Sequence, residues 1–378
     1  MQFLPTGGRG GCEEYALTIA KGALLKGWDV RGAIPALNEL DSLRHDYAKA
    51  GGRPYTLSVH PTYQRPPHHK IEVLPRVFRS AALLARIRPN VVQVVLPHPF
   101  FGLGPILAAA LWRIPTQVVF QLVPPDCRAL GKTGSLYRWA KQRNQQWVAV
   151  SDQNRRLIGK LFGIDSAEID LIYNGADIPN GLETPGSRDV LITEFSLPSD
   201  ATIVLSVGRL SNQKGFDLLL KAAPHLLRDF PTLRFLIAGE GADRQCLEET
   251  IRAYGLIDRV FLLGQRTDIS RLLSASDLFL FPSRYEGQPF ALVEAIAAGL
   301  PVVAAAASGI PEIVEHNVSG ALFKPDDACD LLEVTRWALQ NRHLWPNWAT
   351  AGKEVVRKFS RSRMLEETIT SLNKLAQN

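Results

Sequence analysis

Short apolar runs of strand length alternate with helix-length segments along this chain, and most of the runs end in a glycine or polar turn. That order fits parallel sheets whose strands are joined by crossover helices, since such strands are buried on both faces and read as continuous apolar runs. In the first half the runs are Val91 to Leu96, Gln117 to Leu122 and Gln146 to Val150, with helical stretches at Val77 to Arg86 and Leu136 to Gln142. In the second half they are Thr202 to Val207, Arg234 to Ala238, Val260 to Leu263, Leu278 to Phe281 and Val302 to Ala304. Between Ile178 and Asp200 the rhythm breaks at Pro179, Gly181, Pro185, Gly186 and Pro198, which places an inter-domain linker there. The pattern therefore predicts an α/β chain of two Rossmann-like, doubly wound domains, 1–178 and 201–358, joined by a linker over 179–200. The segment Ser360 to Leu375 is amphipathic through Met364, Leu365, Ile369, Leu372 and Leu375, and forms a closing helix within 359–378. Two such domains face each other across a cleft at the carboxyl ends of their strands, where doubly wound sheets bind ligands.

Length and composition agree. A chain of 378 residues suggests two or three domains, and 46% hydrophobic with 21% charged residues excludes a disordered, collagenous or coiled-coil protein. Cys12, Cys127, Cys246 and Cys329 are far apart, with neither metal-ligand nor redox spacing, and read as reduced thiols in the cytoplasm. The longest stretch without Asp, Glu, Lys or Arg, Asn90 to Trp112, carries Pro97, His98, Pro99 and Pro105 and reads as buried strand, loop and helix start rather than a membrane span. The opening MQFLPTGGRGG lacks the order of a signal peptide. Its first strand, Met1 to Pro5, is short for a central strand, which suggests that a few residues precede it.

The net charge of +6 is uneven. From Met1 to Pro185 there are 22 Lys and Arg against 14 Asp and Glu, or +8, and the rest has 21 against 23, or −2. A basic first half suggests a negatively charged partner. Arg65 to Lys70 with Arg76, Phe78, Arg79, Arg86 and Arg88, and Arg128, Lys132, Tyr137, Arg138, Trp139, Lys141, Arg143 and Trp147, combine cations with apolar residues. That mixture suits the interface of an anionic leaflet, or equally a solvated helix face over a packed Trp. No nucleic-acid-binding motif accompanies the charge, so nucleic acid is not expected as a partner.

Chemistry-bearing residues gather at the turns that follow strands. After Leu278 to Phe281 comes Ser283-Arg-Tyr-Glu-Gly-Gln-Pro-Phe-Ala-Leu-Val-Glu294, in which Pro289 opens a helix ended by Gly299 and Pro301. The start of that helix leaves the backbone N–H groups of Phe290 to Leu292 free for an anion. Glu286 and Glu294 flank it, as acceptors for sugar hydroxyls or as an ordinary surface pair. After Thr202 to Val207 comes Gly208-Arg-Leu-Ser-Asn-Gln-Lys-Gly215. Its Arg209 and Lys214 suit a pyrophosphate, or a solvated loop. The turn Thr6 to Gly11 is glycine-rich but fits neither a Walker A nor a dinucleotide fingerprint. Gly239-Glu240-Gly241, Tyr173-Asn-Gly175 and Ser308 to Glu312 are further strand-end turns.

In this order the motifs resemble the GT-B glycosyltransferases, specifically the retaining glycosyltransferase family four. The resemblance rests on Gly208-Arg209-Leu210 with Lys214-Gly215, on Gly239-Glu240-Gly241, on Glu286 and Glu294 with seven residues between them, and on Ala297 to Val303, Gly309 to Glu312 and Gly320 to Asp326. It is specific over Thr202 to Asp327 and weaker in the first half, where the acceptor is expected to bind.

The resemblance implies transfer of a sugar from a UDP- or GDP-linked donor to a glycan or lipid-linked acceptor, with the anomeric configuration kept and with no metal or other cofactor. Arg209 and Lys214 would hold the diphosphate and stabilise it as it leaves. Glu294 would bind the ribose, while Glu286 and the backbone of Gly287, Gln288, Pro289, Phe290 and Ala291 would position the sugar. Gly208, Glu240 and Arg266 would complete the donor site, with Gly10 and Gly11 reaching the phosphate from the first domain. The final helix would cross back onto that domain. His98 lies where similar enzymes often carry a histidine near the sugar, although a His between Pro97 and Pro99 also makes a rigid turn. Gln288 and Pro289 replace the family's commoner Phe-Gly. The expected location is the cytoplasm, with peripheral attachment to the inner face of the membrane. A nucleotide-sugar epimerase and a non-catalytic sugar-nucleotide binder of the same fold are the competing readings.

Overall fold

A computed structural model describes residues 1–57, 70–129, 133–177 and 187–377. The chain divides into two compact units, Met1–Asn174 with Ser362–Asn378, and Gly175–Arg361. Of the segments singled out above, 65–69, Lys132 and 178–186 lie outside the described residues.

The first unit runs β1 (Gln2–Phe3), α1 (Gly11–Leu25), β2 (Arg31–Ile34), α2 (Asp41–Lys49), β3 (Arg53–Thr56), α3 (Lys70–Ile87), β4 (Val92–Leu96), α4 (Leu103–Leu111), β5 (Thr116–Phe120), α5 (Thr133–Lys141), β6 (Gln145–Ala149), α6 (Asp152–Phe162) and β7 (Asp170–Leu171). Its sheet is parallel in the order β3-β2-β1-β4-β5-β6-β7. Winding reverses between β1 and β4, so the turn after β1 and the turn carrying His98 sit at the topological switch point of this sheet.

The second unit runs α7 (Ser187–Glu194), β8 (Thr202–Val207), α8 (Phe216–Asp229), β9 (Leu233–Ala238), α9 (Arg244–Ala253), β10 (Val260–Gly264), α10 (Ile269–Ala275), β11 (Leu278–Phe281), α11 (Phe290–Ala297), β12 (Val302–Ala305), β13 (Ala321–Phe323), α12 (Ala328–Gln340) and α13 (Trp345–Val356). Its sheet is parallel in the order β10-β9-β8-β11-β12-β13. Here winding reverses between β8 and β11. The two loops with the densest chemistry, Gly208 to Gly215 and Pro282 to Pro289, leave those two strands. The closing helix α14 (Arg361–Gln377) belongs from Ser362 onward to the first unit, where Met364, Ile369 and Leu372 are buried.

Two sequence expectations change, and a choice left open is decided. Residues 187–194, placed in the linker, form helix α7, which is fastened to the second unit by Arg188 on Asp277 at 3.1 Å and by Glu194 on Arg266 at 2.6 Å. The strands β2, β3, β7 and β13 carry no distinct apolar run and were not separable by pattern. Tyr137 and Trp147, in the segment read either as a membrane-interface surface or as a solvated helix face over a packed Trp, are fully buried, as in the second of these readings. They pack with Phe120 and Phe162 at ring separations of 4.7 to 6.1 Å, and burial of such rings contributes about 2–3 kcal/mol each. Trp139 is half-buried under the Arg143 guanidinium at 4.0 Å.

Candidate functional site

The β8 loop is shaped by glycines. Gly215 has φ +68°, and a Cβ there would stand 2.1 Å from the Pro282 carbonyl oxygen, so no side chain fits between the β8 and β11 loops. Gly239 has φ +147°, and its Cβ would meet the Gly208 oxygen at 1.9 Å. The turn after β9 thus lies directly against the turn after β8, with Leu210 N–H donating to the Glu240 oxygen at 2.9 Å and Gly208 N–H to the Ala238 oxygen at 3.0 Å.

Arg284, a residue the sequence did not single out, binds these loops together. Its guanidinium pairs with Asp217 at 2.7 Å and Asp326 at 2.6 Å and donates to the Asn212 oxygen, while its N–H donates to the Gln213 oxygen at 2.8 Å. Its two carboxylates hold it firmly protonated. The signal that could have found it is Asp217, two residues past Gly215 at the head of α8.

Lys214 ends a short 3-10 turn, and its aliphatic chain crosses Gly208, approaching the place of a Cβ to 3.3 Å. The ammonium lies 5.2 Å from the centre of the Phe281 ring and 2.5 Å from Glu286 Oε1. Both partners are well buried, with side-chain exposures of 17% and 8%. Arg209 is exposed, and among the described residues it makes no ion pair. The loop thus presents one partnered cation and one unpartnered cation.

Helix α11 starts beside them. Pro289, expected as the first helical residue, is instead the N-cap, with φ −79° and ψ 120°, because the chain is still extended there. No side chain caps the helix, so the N–H groups of Phe290, Ala291 and Leu292 lie at a positively polarised terminus. Gly287, Gln288 and Pro289 are buried. Glu294 is half-buried, and burial pushes its carboxyl above the usual range, opposed by Arg361 and reinforced by Asp177. Among the described residues no three His, Cys, Asp or Glu side chains gather as a metal-ligand set. The arrangement suits an anion.

In the first unit, Gly10 caps α1, its oxygen accepting from the N–H groups of Glu13 and Glu14 at 3.1 and 3.0 Å, and Gly11 begins the helix. His98 follows β4 in a turn held by Tyr137, whose hydroxyl donates to the Pro99 oxygen at 2.7 Å. His98 Nδ1 faces the Phe100 N–H at 3.4 Å and Nε2 lies 4.0 Å from Cys127 Sγ. Burial lowers its pKa to about 4, so the ring is neutral near pH 7.

Residues 9–179 match the family model described as Glycosyltransferase Family 4, and residues 187–355 match Glycosyl transferases group 1. The chain belongs to glycosyltransferase family four. It is 34% identical to D-inositol 3-phosphate glycosyltransferase of Mycolicibacterium smegmatis over 257 residues, covering 66% of this chain and 56% of the relative. It is 29% identical to an uncharacterised glycosyltransferase of Methanocaldococcus jannaschii over 59% of this chain and 58% of that one. These matches span little more than half the length of those relatives. Among solved structures, Anabaena Alr3699/HepE in complex with UDP superposes with a TM-score of 0.81 at 21% identity over 99% of each chain. A glycosyltransferase from Rickettsia africae ESF-5 gives 0.81 at 18% identity over 100% of this chain and 98% of that one. The fold is GT-B.

Against the family's expected donor site, two acidic and basic side chains have other engagements in this family-four chain. Arg266 is held by Asp268 at 2.8 Å and Glu194 at 2.6 Å, so its guanidinium joins the β10 loop to α7. Glu240 pairs with Arg244 at 2.6 Å. Gly208, Arg209, Lys214, Glu286, Gly287, Gln288, Pro289, Phe290, Ala291 and Glu294 all lie on the β8 loop, the β11 loop or α11. Gly10, Gly11 and His98 lie at the switch point of the first sheet.

Proposed function

We propose that this chain is a retaining, metal-independent glycosyltransferase that moves a sugar from a UDP- or GDP-linked donor to a glycan or lipid-linked acceptor. The observation that carries the reading is the exposed Arg209, with no ion pair among the described residues, on the same loop as Lys214, together with the uncapped start of α11. Cations and free N–H groups stabilise a nucleoside diphosphate most when its charge develops as the sugar departs. In this reading Arg209 and Lys214 hold the diphosphate, Glu294 accepts from the ribose hydroxyls, and Glu286 and the backbone from Gly287 to Ala291 position the sugar. Gly208 gives the loop its close approach, and Gly10 and Gly11 contact the diphosphate. Glu240 and Arg266 contribute backbone groups only. His98, neutral at working pH, offers a hydrogen bond to the sugar rather than a proton.

A thermal-shift panel of UDP, GDP and ADP sugars tests the donor, because a ligand bound only by the folded state raises the melting point. Radiolabelled donor with glycan, lipid-linked and D-inositol 3-phosphate acceptors tests transfer. Sugar altered without any acceptor would instead mark an epimerase, and binding without turnover a sensor.

The membrane reading rests on α3, since the aromatic residues of the second basic segment are largely inside. Leu74 and Phe78, one helical turn apart, are 61% and 70% exposed on a helix that also carries Arg76, Arg79 and Arg86. No helix among the described residues is long and apolar enough to span a bilayer. Co-sedimentation with anionic vesicles, abolished by Phe78→Glu, is the expected result, and a protein that stays in the supernatant at low salt refutes it.

A further inference from the structure

A chain of side-chain amides crosses the sheet of the first unit. Gln2 on β1, Gln93 on β4, Gln117 on β5 and Gln146 on β6 are direct register partners from strand to strand. Gln2 Nε2 donates to Gln93 Oε1 at 2.8 Å, Gln93 Nε2 to Gln117 Oε1 at 2.8 Å, and Gln117 Nε2 to Ser371 Oγ on α14 at 2.9 Å. Ser371 passes the bond on to Gln146 Oε1 at 2.6 Å, and Gln146 Nε2 ends on the Asp170 carboxylate at 2.5 Å. A carboxylate only accepts when ionised, so it fixes the direction of every amide behind it.

At the other end, Gln2 has two further partners. Tyr47 of α2 donates its hydroxyl to Gln2 Oε1 at 2.8 Å, and Gln2 Nε2 also donates to the Ala16 carbonyl of α1 at 3.1 Å. Both side chains are buried, and burial keeps the Tyr47 phenol protonated and therefore a donor. Space for the Tyr47 ring comes from Gly32 and Gly52, where a Cβ would meet it at 2.8 and 2.5 Å. Gly32 is itself the register partner of Gln2. One amide thus ties the strand before the Thr6 to Gly11 loop to the helix after it.

We infer that Gln2, held in place by Tyr47, is a positioning residue that fixes the two ends of the glycine loop and so aims the Gly10 and Gly11 backbone. The inference rests on the reading of Gly10 and Gly11 as diphosphate contacts. Gln2 touches no ligand itself. It acts by closing the loop from the sheet side, whereas the loop's own side chains bond within it or on its outer side: Thr6 Oγ1 meets Gly8, and Arg9 pairs with Glu14 of α1 and Asp46 of α2 at 2.7 Å each.

The test compares Gln2→Met and Tyr47→Phe with Ser371→Ala, which breaks the same ladder at α14. Two readouts are used, hydrogen exchange of the loop amides without ligand, and affinity for UDP and GDP beside uridine and guanosine. Gln2→Met and Tyr47→Phe should speed exchange at Gly8 to Gly11. They should also weaken whichever diphosphate the wild type binds by about five- to tenfold, the size of one lost hydrogen bond, with the nucleoside unaffected. Ser371→Ala should lower the melting point and leave loop exchange as in the wild type. Tyr47→Phe removes a single hydroxyl and keeps the test open if Gln2→Met does not fold. Unchanged loop exchange in a folded variant, faster exchange with unchanged diphosphate affinity, or an equal effect of Ser371→Ala overturns the inference. A wild type that binds neither diphosphate defeats the donor reading, while the exchange data still decide whether Gln2 closes the loop.

Discussion

Lys214 Nζ donates to Glu286 Oε1 across 2.5 Å, joining the loop after β8 to the loop after β11 inside one sheet's switch point. The pair makes the two cations of the β8 loop unequal. Lys214 is part of the loop's own structure, whereas Arg209 meets no carboxylate among the described residues.

Arg209→Ala should therefore lower turnover by about 10²- to 10³-fold with the melting point nearly unchanged. Lys214→Ala should lower turnover similarly and also destabilise the fold by up to about 3 kcal/mol, because Glu286 is left buried without its partner. Adding Glu286→Gln to Lys214→Ala should restore the melting point without restoring activity. Turnover and thermal melts on the three variants check this, and a Lys214→Ala protein as stable as wild type would show that the pair carries no structural weight.

Glu294 opposes folding at neutral pH. Its carboxyl is pushed above its ordinary value of 4.5, so the folded state binds protons more tightly than the unfolded chain, and stability falls as pH rises through that window. Glu294→Gln should raise the melting point at pH 7, lose that advantage at pH 4, and weaken nucleoside binding. Melts at the two pH values with uridine and guanosine titrations decide it.

His98 has the opposite linkage sign. Its folded pKa, about 4, lies below the ordinary 6.5, so the unfolded state takes up the proton first and stability drops as pH falls from 6.5 toward 4. The loss attributable to this group is on the order of 3 kcal/mol. His98→Phe should flatten the acid side of the stability curve, and an unchanged curve would mean that the ring is already solvated. Above pH 6.5 the turnover profile should show no step from this ring.

Arg266 is expected to act on stability. Arg266→Ala removes the ties to Glu194 and Asp268 and should cost about 2 kcal/mol, with affinity for the diphosphate kept within about twofold. Loss of affinity at an unchanged melting point would return the side chain to the donor site.

Gly239→Ala should be among the most damaging single changes in the second unit, since the added methyl meets a backbone oxygen at 1.9 Å in a conformation few side chains adopt. Soluble expression and melting point report it, and a wild-type melt would contradict the close approach of the β8 and β9 turns.

Much of this protein is legible in its sequence alone. The run Thr202 to Val207 is β8, Leu278 to Phe281 is β11, Phe216 opens α8, and α14 covers the amphipathic closing segment. Apolar runs and their breakers report local backbone and burial, and those properties are written residue by residue. The motif loops also fall after the strands to which they were assigned, because a loop's place relative to its strand is a matter of sequence neighbours.

What the sequence could not disclose depended on which strands become neighbours. Gln2, Gln93, Gln117 and Gln146 are scattered polar residues until the order β1-β4-β5-β6 sets them side by side. Lys214 and Glu286 are 72 positions apart until β8 pairs with β11. Tyr137 and Trp147 belong to a basic, aromatic segment by composition, yet the packing of α5 against the sheet that carries Trp147 buries both rings. Residue type and spacing determined the elements and the chemistry available at each turn. Tertiary structure alone decided which charges and amides were satisfied by one another and which were left for a ligand, because a hydrogen bond or ion pair depends on distances that chain order does not contain.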